Sequence, residues 1–295
     1  MDASALKIFE VVARLGGMNR AAQELNTVQS NVTHRVRLLE DELGTRLFER
    51  HSRGVTLTEA GRRLLPYAQR AEHLLDEARR VVKDDGTPNG RLTIGSLETT
   101  AALRLSPILA QYVEAYPEVD LVLRTGTTAE LIDGVLARRL EGAFVCGPVE
   151  HEALEQESVF REELVVATAP SVRSLDALSD KGDIKIVVLR AGCSYRQRLE
   201  EILARRGTVG LRQLEFGTIE TIVSCVAAGL GITLLPRGVL ESAADRNRVA
   251  LHKLPATEAR ADTLFIRRRD GHVSSALASF LDRARTNLLQ IRAAG

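Results

Sequence analysis

The sequence predicts an α/β protein with an all-α amino-terminal part, and three observations support this prediction. Apolar residues recur at helical spacing through residues 1–57. They continue in a heptad pattern through residues 58–86. From residue 91 onwards, short apolar runs alternate with helical segments, as they do in α/β folds. The 295 residues are enough for two or three compact units.

The bulk composition argues against several functional classes. The net charge is +1, so nucleic-acid binding would depend on a local basic patch rather than on an overall basic excess. The chain has no Trp and 4% aromatic residues, which disfavours stacking on single strands as the main activity. Cys146, Cys193 and Cys225 form no CxxC pair and no metal-ligand spacing, as expected for a reducing cytosol. The sequence therefore predicts no metal site and no cofactor.

The first residues give no indication of export. The stretch MDASALKIFEVVARLGG has an early acidic residue and an amphipathic pattern, whereas a signal peptide needs a basic start and a continuous apolar run. The sequence contains no run of about 18 or more apolar residues, so no membrane-spanning helix is expected. We therefore expect a cytoplasmic protein.

Residues 1–57 predict three short helices and a turn-rich tail. Gly16-Gly17 ends the first helix and Gly44 ends the third. The tail RHSRGVTL, residues 50–57, indicates a small β-turn wing with Gly54 at its tip. The apolar positions with helical spacing are Leu6, Phe9, Val12 and Ala13 in the first helix, Ala21, Ala22 and Leu25 in the second, and Val32, Val36, Leu39 and Leu43 in the third.

The third helix carries a polar side that nothing apolar accompanies. Amide side chains can pair with adenine, and hydroxyls and imidazoles can bond to base edges in the major groove. A helix that presents polar residues at its amino end is typical of a helix-turn-helix on DNA. The alternative is a small helical bundle with a solvated polar surface, and the acidic run Glu40–Asp41–Glu42 favours that alternative at the far end of the helix. The polar residues in question are Gln29, Ser30, Asn31, Thr33, His34 and Arg37, and the surrounding basic residues are Arg35, Arg46, Arg50, His51, Arg53, Arg62 and Arg63.

Residues 58–86 predict one long helix that Thr58 caps. Its apolar stripe has heptad spacing, which suits packing against a second long helix, so we expect dimerisation through it. The alternative is that the stripe packs on its own domain. Pro66 should either kink the first turns or mark a later start of the helix. The stripe consists of Leu64, Ala68, Ala71, Leu75, Ala78 and Val82.

The stretch DDGTPNG, residues 84–90, indicates a hinge, with the connection itself at residues 87–90. Beyond it, two sets of alternating strands and helices predict two Rossmann-like α/β lobes with parallel sheets. The pattern leaves open whether the last elements return to the first lobe. The predicted strands are 92–97, 119–125, 142–147, 163–169, 184–190, 211–217, 232–236 and 263–268, and the predicted helices are 101–116, 129–140, 195–206, 219–229 and 273–292.

Three stretches of the amino-terminal part follow one known pattern nearly from end to end: LKIFEVVARLGGMNRAAQEL, VQSNVTHRVRLLEDELGTRLFER and GVTLTEAG. Residues 1–65 thereby resemble the winged helix-turn-helix of LysR-type transcriptional regulators. The long helix, the hinge and the paired lobes are similar to the same family, so the resemblance covers the whole chain. Gly17, Met18 and Asn19 replace the family's usual Ser-Phe-Thr, and Asn31 replaces a frequent Ala, which should alter base preference.

The resemblance implies a domain plan and a set of partners. The plan is a DNA-binding domain of residues 1–57, a linker helix of residues 58–86 and an effector-binding domain of residues 91–295. Lobe I would comprise 91–163 and 267–295, lobe II would comprise 164–266, and the pair would resemble a periplasmic binding protein. The implied partners are double-stranded promoter DNA, a small-molecule effector and a second copy of the chain, usually as part of a homotetramer, with RNA polymerase as a further candidate.

The resemblance also assigns roles on the DNA-binding domain. Gln29, Ser30, Asn31, Thr33 and His34 would read base edges. Arg53 in the wing would enter a minor groove, and Arg35 and Arg50 would mainly hold phosphates.

The carboxyl ends of the predicted strands carry hydroxyl-rich groups, and each group precedes a helix. Ligands bind outside these strand ends in such sheets, and helix amino ends attract anions, so we expect a small carboxylate effector. Glu98, Glu220 and Arg196 could instead hold an amino group or a second charge. The alternative is that these hydroxyls are ordinary helix caps without a ligand role. The candidate effector-binding residues are Ser96, Thr99, Thr100, Thr127, Cys193, Ser194, Arg196 and Thr218.

Three rival functions remain open at this stage. In AAGLGITLLP the glycines follow a helix and precede a strand, whereas a dinucleotide fingerprint needs the opposite order, and no nucleophile and base pair is evident, so an enzyme is disfavoured. The absent signal peptide opposes an exported solute-binding protein. A thiol-based redox sensor would depend on Cys193, which lies before a helix where a thiolate is stabilised.

Overall fold

The computed structural model of this protein describes residues 1–52, 54–175, 184–207 and 211–294, with side chains up to residue 287. The chain divides into two units, Met1–Asp84 with Ala137–Arg139, and the remaining residues from Asp85 onwards. In the described residues, no helix is both long and apolar enough to cross a lipid bilayer.

The first unit contains the three predicted helices, the predicted wing and the long helix. Asp2 caps the first helix by accepting a hydrogen bond from the Ala5 N–H, and Gly44 ends the third in the left-handed conformation. The elements are α1 (Ala3–Leu15), α2 (Met18–Glu24), α3 (Gln29–Leu43), β1 (Phe48–His51), β2 (Gly54–Leu57) and α4 (Glu59–Lys83).

The core of the first unit is built from the apolar positions that recur at helical spacing. Phe9, Val12, Val36 and Leu39 are at most 1% exposed. Phe9 also packs against Phe48 at the start of the wing, with ring centroids 5.3 Å apart. This packing fixes α3 by its apolar side, and its polar side is left outside the core.

The wing is an antiparallel pair, β1 with β2, and it depends on a glycine. Gly54 has φ +139°, and a Cβ atom there would lie 2.4 Å from the Gly16 carbonyl oxygen. Residues with a side chain rarely adopt that conformation, and none has room at this contact. The Val55 N–H donates to the same Gly16 oxygen at 3.1 Å, which joins the wing to the end of α1.

Helix α4 starts where its cap predicts. The Thr58 hydroxyl accepts from the Gly61 N–H at 3.1 Å, and the helix continues through Pro66, so the predicted later start is wrong. The first half of the stripe packs on its own domain, as the alternative predicted, because Ala68 is fully buried in the first unit's core. Farther along, Leu75 is 40% and Val82 88% exposed. The stripe therefore splits into a covered first half and an uncovered second half.

The second unit alternates strands and helices after the hinge. Its elements are β3 (Gly90–Ser96), α5 (Glu98–Thr100), a π-helical turn (Ala101–Leu105), α6 (Ser106–Ala115), β4 (Val119–Thr125), α7 (Thr128–Leu136), β5 (Gly142–Cys146), β6 (Leu154–Thr168), β7 (Lys185–Leu189), α8 (Ser194–Arg205), β8 (Arg212–Phe216), α9 (Ile219–Ala227), β9 (Thr233–Pro236), α10 (Arg237–Asp245), β10 (Ala250–Lys253), α11 (Ala256–Ala259), β11 (Arg260–Arg268) and α12 (Ser275–Ala294).

The sheets of the second unit are mixed, so the prediction of parallel sheets was correct only in part. Strand β3 pairs in parallel with β4 and β5, and β7 pairs in parallel with β8. Strand β11 instead pairs antiparallel with β5 and with β6, and β6 pairs antiparallel with β9 and β10. The antiparallel pairs arise because the chain leaves the first lobe on β6 and returns on β11, its neighbour running in the opposite direction.

The two crossing strands are longer than the sequence pattern predicts. Strand β6 covers Leu154–Thr168, whereas only its apolar second half, 163–169, was predicted. Strand β11 pairs with the first half of β6 from Arg260 onwards. The return to the first lobe therefore lies near residue 260, and the predicted lobe boundary at 266/267 is too late.

Local packing changes several predicted helices. The helix predicted over 101–116 begins at Glu98 and contains the π-helical turn, and the helix predicted over 129–140 ends at Leu136. Three elements between residues 237 and 259, which are α10, β10 and α11, were not predicted. The second unit has two apolar clusters, one around Phe144, Phe265 and Phe280 and the other around Ile186, Leu199 and Ile222.

Candidate nucleic-acid interface and ligand cavity

The amino-terminal turns of α3 are uncovered, as the pattern predicts. Gln29, Ser30, Asn31 and His34 are exposed and Thr33 is half-buried. The Asn31 amide nitrogen donates to the Thr27 hydroxyl at 3.0 Å, so this amide is already oriented before any partner binds. The side chains that are able to bond to base edges therefore lie together on one accessible surface.

Three arginines share a surface concavity with Gln29 and Thr33. They are Arg20 on α2, Arg37 on α3 and Arg50 on β1. Within the part of the chain that the structure describes, none of the three guanidinium groups has a hydrogen-bond or ion-pair partner, and the same holds for Arg46. Free guanidinium groups beside a reading helix are suited to phosphates. The sequence pattern named Arg50 and Arg46 but gave no such role to Arg20.

Two other predicted arginines differ from this group. Arg35 donates to the Ser4 hydroxyl at 3.3 Å and lies 3.8 Å from Asp2, so its guanidinium is held against α1. Arg53 lies outside the described residues, so its predicted place in a minor groove stays a prediction.

Val28 is an exposed apolar residue at the start of α3 that sequence reasoning did not single out. It occupies the N-cap position without a side-chain hydrogen bond to the helix and is 64% exposed. Polar residues are preferred at this position. A valine that neither caps the helix nor packs in the core is available to a partner.

The acidic run at the far end of α3 has a local role. The Glu40 carboxylate accepts hydrogen bonds from the backbone N–H groups of Leu47 at 2.8 Å and Phe48 at 3.2 Å. It thereby connects α3 to the start of the wing. Glu40, which favoured the alternative of a solvated helical bundle, therefore stabilises the position of α3 relative to the wing.

The second unit contains a cavity of about 60 Å³ between its lobes, at the carboxyl ends of the parallel strands. Three of the predicted effector residues line it: Thr99, Thr127 and Cys193. The pattern missed the importance of Arg190 and Tyr195. The complete lining is Leu97, Glu98, Thr99, Thr125, Gly126, Thr127, Leu189, Arg190, Cys193, Tyr195 and Gly217.

Five predicted effector residues do not line the cavity, and hydroxyl hydrogen bonds within the fold explain three of them. Ser96 is fully buried and donates to the Leu97 carbonyl, and Ser194 donates to the Thr128 hydroxyl at 2.9 Å. Thr218 caps α9 by accepting from the Thr221 N–H. These hydroxyls have the structural roles that the capping alternative assigned to them.

The remaining two are Thr100 and Arg196. Thr100 is 3% exposed inside the helical segment that follows β3. Arg196 forms ion pairs with Glu200 and Glu215, each at 3.1 Å, and also donates to Gln213. Its charge is therefore compensated outside the cavity, and the prediction that it binds an effector is not supported by this geometry.

Thr127 lines the cavity, but its donors are occupied by a capping box. Its backbone N–H and hydroxyl donate to the Glu130 carboxylate at 2.8 and 3.1 Å, and the Glu130 N–H donates back to the hydroxyl. The Thr127 N–H holds the pKa of Glu130 below its ordinary value. The amino end of α7 therefore already carries a carboxylate.

The amino end of α9 carries a second carboxylate of the chain. Glu98, on the opposite lobe, accepts a long hydrogen bond from the Ile219 N–H at 3.4 Å. Only one of the two Glu98 carboxylate oxygens makes this contact. Since Glu98 also lines the cavity, its second oxygen is available to a ligand.

The amino end of α8 differs from the other two. Its N-cap residue is Cys193, whose side chain makes no capping hydrogen bond. Cys193 and Tyr195 both line the cavity, together with the exposed Arg190. An uncapped helix amino end beside an arginine is an anion-binding arrangement.

Two kinds of buried group bear on the chemistry of this region, one hydroxyl in the cavity lining and the thiols of Cys193 and Cys146. The Thr99 hydroxyl oxygen is buried and makes no hydrogen bond of ordinary geometry within the described residues. Burial raises the pKa of Cys193, and it raises the pKa of Cys146 to about 11. Both are therefore thiols at neutral pH, and because the thiolate is the reactive form, this weakens the redox-sensor alternative.

Comparisons with known proteins identify the family. Residues 85–289 match the family model described as the LysR substrate binding domain, and residues 3–62 match that of the bacterial regulatory helix-turn-helix protein, lysR family. The chain belongs to the LysR family of transcriptional regulators. A LysR regulator combines a DNA-binding helix-turn-helix with a domain that binds an effector, which are the two surfaces described above. The family membership confirms the resemblance seen in the sequence.

Two curated relatives extend over nearly the whole chain. The HTH-type transcriptional regulator GltR of Bacillus subtilis (strain 168) is 43% identical over 285 residues, which are 97% of this chain and 96% of the relative. The uncharacterized HTH-type transcriptional regulator YusT of the same strain is 44% identical over 282 residues, 96% of this chain and 95% of the relative. Both names describe transcriptional regulators of the helix-turn-helix type.

Solved structures show that the fold is shared. Full-length CbnR in complex with its target DNA has a TM-score of 0.67 at 23% identity, covering 97% of this chain and 100% of CbnR. A full-length OxyR variant from Pseudomonas aeruginosa has a TM-score of 0.65 at 20% identity, covering 98% of this chain and 94% of OxyR.

Proposed function

We propose that this LysR regulator reads promoter DNA with the amino-terminal turns of α3 and responds to a small carboxylate bound in the cavity of the second unit. The observation that carries the first half is the uncovered polar surface of α3 beside three arginines that are unpaired among the described residues. The domain plan is the one predicted: residues 1–57 bind DNA, 58–86 link and dimerise, 87–90 form a hinge, and 91–295 bind the effector.

On DNA, Gln29, Ser30, Asn31, Thr33 and His34 contact base edges in the major groove. Arg20, Arg37, Arg46 and Arg50 hold phosphates and thereby fix the register, because they have no competing partner within the described residues. The exposed Val28 is placed to contact the methyl group of a thymine, the apolar feature that the major groove offers. Arg35 supports the surface through α1 rather than binding a phosphate.

The uncovered half of α4 is the proposed dimer surface. Leu74, Leu75, Val81 and Val82 are between 40% and 88% exposed and repeat at an interval of seven residues. A second copy of the same helix would cover them and bring two α3 helices to two half-sites on one side of the duplex. We propose a homodimer through this surface as the building block of a homotetramer.

The effector carboxylate is assigned to the amino end of α8 and to Arg190. The α8 end has no oxygen cap among the described residues, and Arg190 adds a positive charge beside it, whereas the other uncapped helix end in the lining carries the acidic Glu98. Binding there would favour one arrangement of the lobes over another, because strands β6 and β11 carry the chain across between them. The result would be a change in the spacing of the DNA-binding units.

This function involves no catalysis and places the protein in the cytoplasm, where bacterial promoters are. Among the described residues, the cavity lining includes no paired nucleophile and base, since burial raises the pKa of Cys193 and no histidine lines the cavity beside it. RNA polymerase is the further partner that an activator would contact.

The full-length chain tests the proposed function by selection from a random duplex library. The parent should enrich one sequence. Gln29→Ala should relax the preference at one base pair of that sequence by roughly 1–3 kcal/mol, because one paired contact to a base is lost. Equal binding of the enriched duplex and a scrambled duplex by the parent would contradict the assignment of α3. A titration of the enriched complex with small carboxylates, in parent and Arg190→Gln, tests the cavity, with Arg246→Gln as the control on an exposed arginine outside it.

A further inference from the structure

We infer that the effector is a small zwitterion, an α-amino acid or a close analogue, whose ammonium group binds Glu98 while its carboxylate binds at α8. This inference rests on the proposed carboxylate site and extends it by a second charge. The observations that carry it are the distribution of charges around the cavity and the capping of the helix ends that meet there.

Two helix ends at the cavity are already occupied by carboxylates of the chain and cannot take an external anion. At α7 the Thr127 N–H and hydroxyl are bonded to Glu130, and at α9 the Ile219 N–H is bonded to Glu98. An incoming carboxylate would have to displace a carboxylate that belongs to the chain. It would also come close to two negative charges, which repel it in a partly enclosed site.

Two helix ends at the cavity lack an oxygen cap among the described residues, the one that begins at Glu98 and that of α8. The first carries the acidic Glu98 in its opening turn, which repels an anion. The amino end of α8 has no oxygen cap among the described residues, and Arg190 supplies the positive charge in the cavity lining. A ligand carboxylate has one favourable position, at α8 and Arg190. The same ligand then fills a cavity whose other charged lining residue is Glu98.

The Glu98 carboxylate has one hydrogen-bond donor among the described residues. Its contact to Ile219 is long, 3.4 Å, and uses one oxygen, so the carboxylate is undersatisfied for a charged group at a cavity wall. A ligand ammonium provides three donors, which match the free Glu98 oxygen and the buried Thr99 hydroxyl next to it in the chain, whose oxygen makes no hydrogen bond of ordinary geometry within the described residues. A simple carboxylate would supply no donor to the second Glu98 oxygen or to the Thr99 hydroxyl oxygen.

The site is small. A cavity of about 60 Å³ favours a small ligand, in which the two charged groups are close together. An ammonium and a carboxylate on the same carbon meet this condition. Leu97 and Leu189 in the lining provide an apolar wall for the remainder of the ligand.

The experiment is calorimetric titration of the full-length chain with matched probe sets. Each of the 20 standard α-amino acids is compared with its des-amino carboxylate and its decarboxylated amine, for example L-alanine with propionate and ethylamine. At least one amino acid should bind at least tenfold more tightly than both of its analogues. Glu98→Gln, which keeps an oxygen for the Ile219 N–H, should reduce that preference to less than threefold and leave the affinity for the des-amino carboxylate within threefold of the parent.

The matched control is Glu220→Gln, an exposed acid in the first turn of α9 that does not line the cavity, and it should leave the preference unchanged. If a des-amino carboxylate binds as tightly as its amino acid, and Arg190→Gln weakens both, the zwitterion is wrong and the carboxylate site stands. If no amino acid and no carboxylate binds, both proposals are wrong. Retained affinity of Glu98→Gln for the des-amino carboxylate shows that the second unit of the variant is folded.

Discussion

The arginines of the two units are used in opposite ways. Around α3 in the first unit, Arg20, Arg37, Arg46 and Arg50 have no side-chain partner among the described residues. In the second unit, arginines from four different elements pair with acids on a single strand, β6. These pairs are Arg104 with Glu162, Arg237 with Glu163, Arg267 with Glu155 and Arg285 with Glu157.

The difference shows why a net charge of +1 says so little about this protein. Along β6, positive and negative groups neutralise each other and fasten the strand that crosses between the lobes to the π-helical turn, α10, β11 and α12. Around α3, four arginines are left for a negatively charged partner. Pairing, rather than the number of arginines, distinguishes a charge that supports the fold from a charge that binds.

The largest expected effect is the loss of stability when the Glu162 carboxylate is removed from its ion pair. Its carboxylate is 7% exposed and accepts two hydrogen bonds from Arg104, at 2.7 and 2.9 Å. Glu162→Ala should lower the free energy of unfolding by about 3 kcal/mol, because it leaves a partly buried guanidinium without its partner. Urea denaturation of parent and variant measures the change.

The control for Glu162 is an ion pair on the same strand that is exposed. Arg161 and Asp262 are 2.8 Å apart, with side chains 64% and 45% exposed, so Asp262→Ala should change stability by less than about 1 kcal/mol. Equal losses of stability from Glu162→Ala and Asp262→Ala would contradict the expectation that a buried ion pair matters more than an exposed one.

The next largest effect is the loss of DNA binding when Arg50, one of the four unpaired arginines around α3, is removed. Arg50→Ala should weaken binding to every duplex by roughly 1 kcal/mol at physiological salt and reduce the slope of log K against log salt by about 0.9, since one phosphate contact is lost. Fluorescence anisotropy over a range of salt concentrations measures both. Arg62→Ala is the matched control, because that guanidinium is bonded to Glu59 and to the Leu57 carbonyl. An equal loss of slope for Arg62→Ala would contradict the distinction between paired and unpaired arginines.

A smaller effect tests whether exposed apolar surface at α3 is also left for DNA. Val28→Ala should weaken binding to the enriched duplex by about 0.8 kcal/mol for each methyl-sized group that loses its contact. Replacing the contacted thymine by uracil removes the other half of the same contact. The two changes together should therefore weaken binding no more than either alone, and full additivity would exclude the contact between Val28 and a thymine methyl.

The smallest effect is a dependence of stability on pH at His252, a partly buried group in the second unit. Burial lowers the pKa of His252 below its ordinary value of 6.5, and its Nε2 lies 2.8 Å from the Thr168 hydroxyl oxygen. The unfolded chain therefore takes up a proton near the ordinary pKa while the folded chain does not, so acid favours unfolding. Stability should be complete above that pH and fall below it. His252→Gln should flatten the decline in chemical denaturation between about pH 7 and 5, and an unchanged decline would exclude His252 as its source.

The sequence predicts the first unit better than the second, and the physical reason is the range of the contacts. Helices α1 to α3, the wing and the cap at Thr58 depend on spacing and on residues a few positions apart, so they are visible in the chain. Strands β6 and β11 depend on pairing between residues about a hundred positions apart. The first half of β6, LEQESVFRE, is polar because its side chains form ion pairs, and such a strand has no apolar signature.

The same limit applies to the candidate effector site. A hydroxyl before a helix has the same pattern whether it caps the helix or binds a ligand, and Ser194 and Thr218 are occupied within the fold. Arg190 could have been noticed, because it ends the apolar stretch IKIVVLR, directly after the strand. The pairing of Glu98 with Ile219 joins residues 121 positions apart and could not have been predicted from either stretch.

The salt dependence of operator binding by a variant without the four unpaired arginines is the most direct measurement of this division of charge. Arg20, Arg37, Arg46 and Arg50 are changed together to Ala in the full-length chain, and circular dichroism confirms that the variant is folded. We predict that the slope of log K against log salt falls by roughly 3 to 4 relative to the parent, about 0.9 for each phosphate contact. A slope within experimental error of the parent's would mean that these arginines do not face the DNA, and would contradict the account.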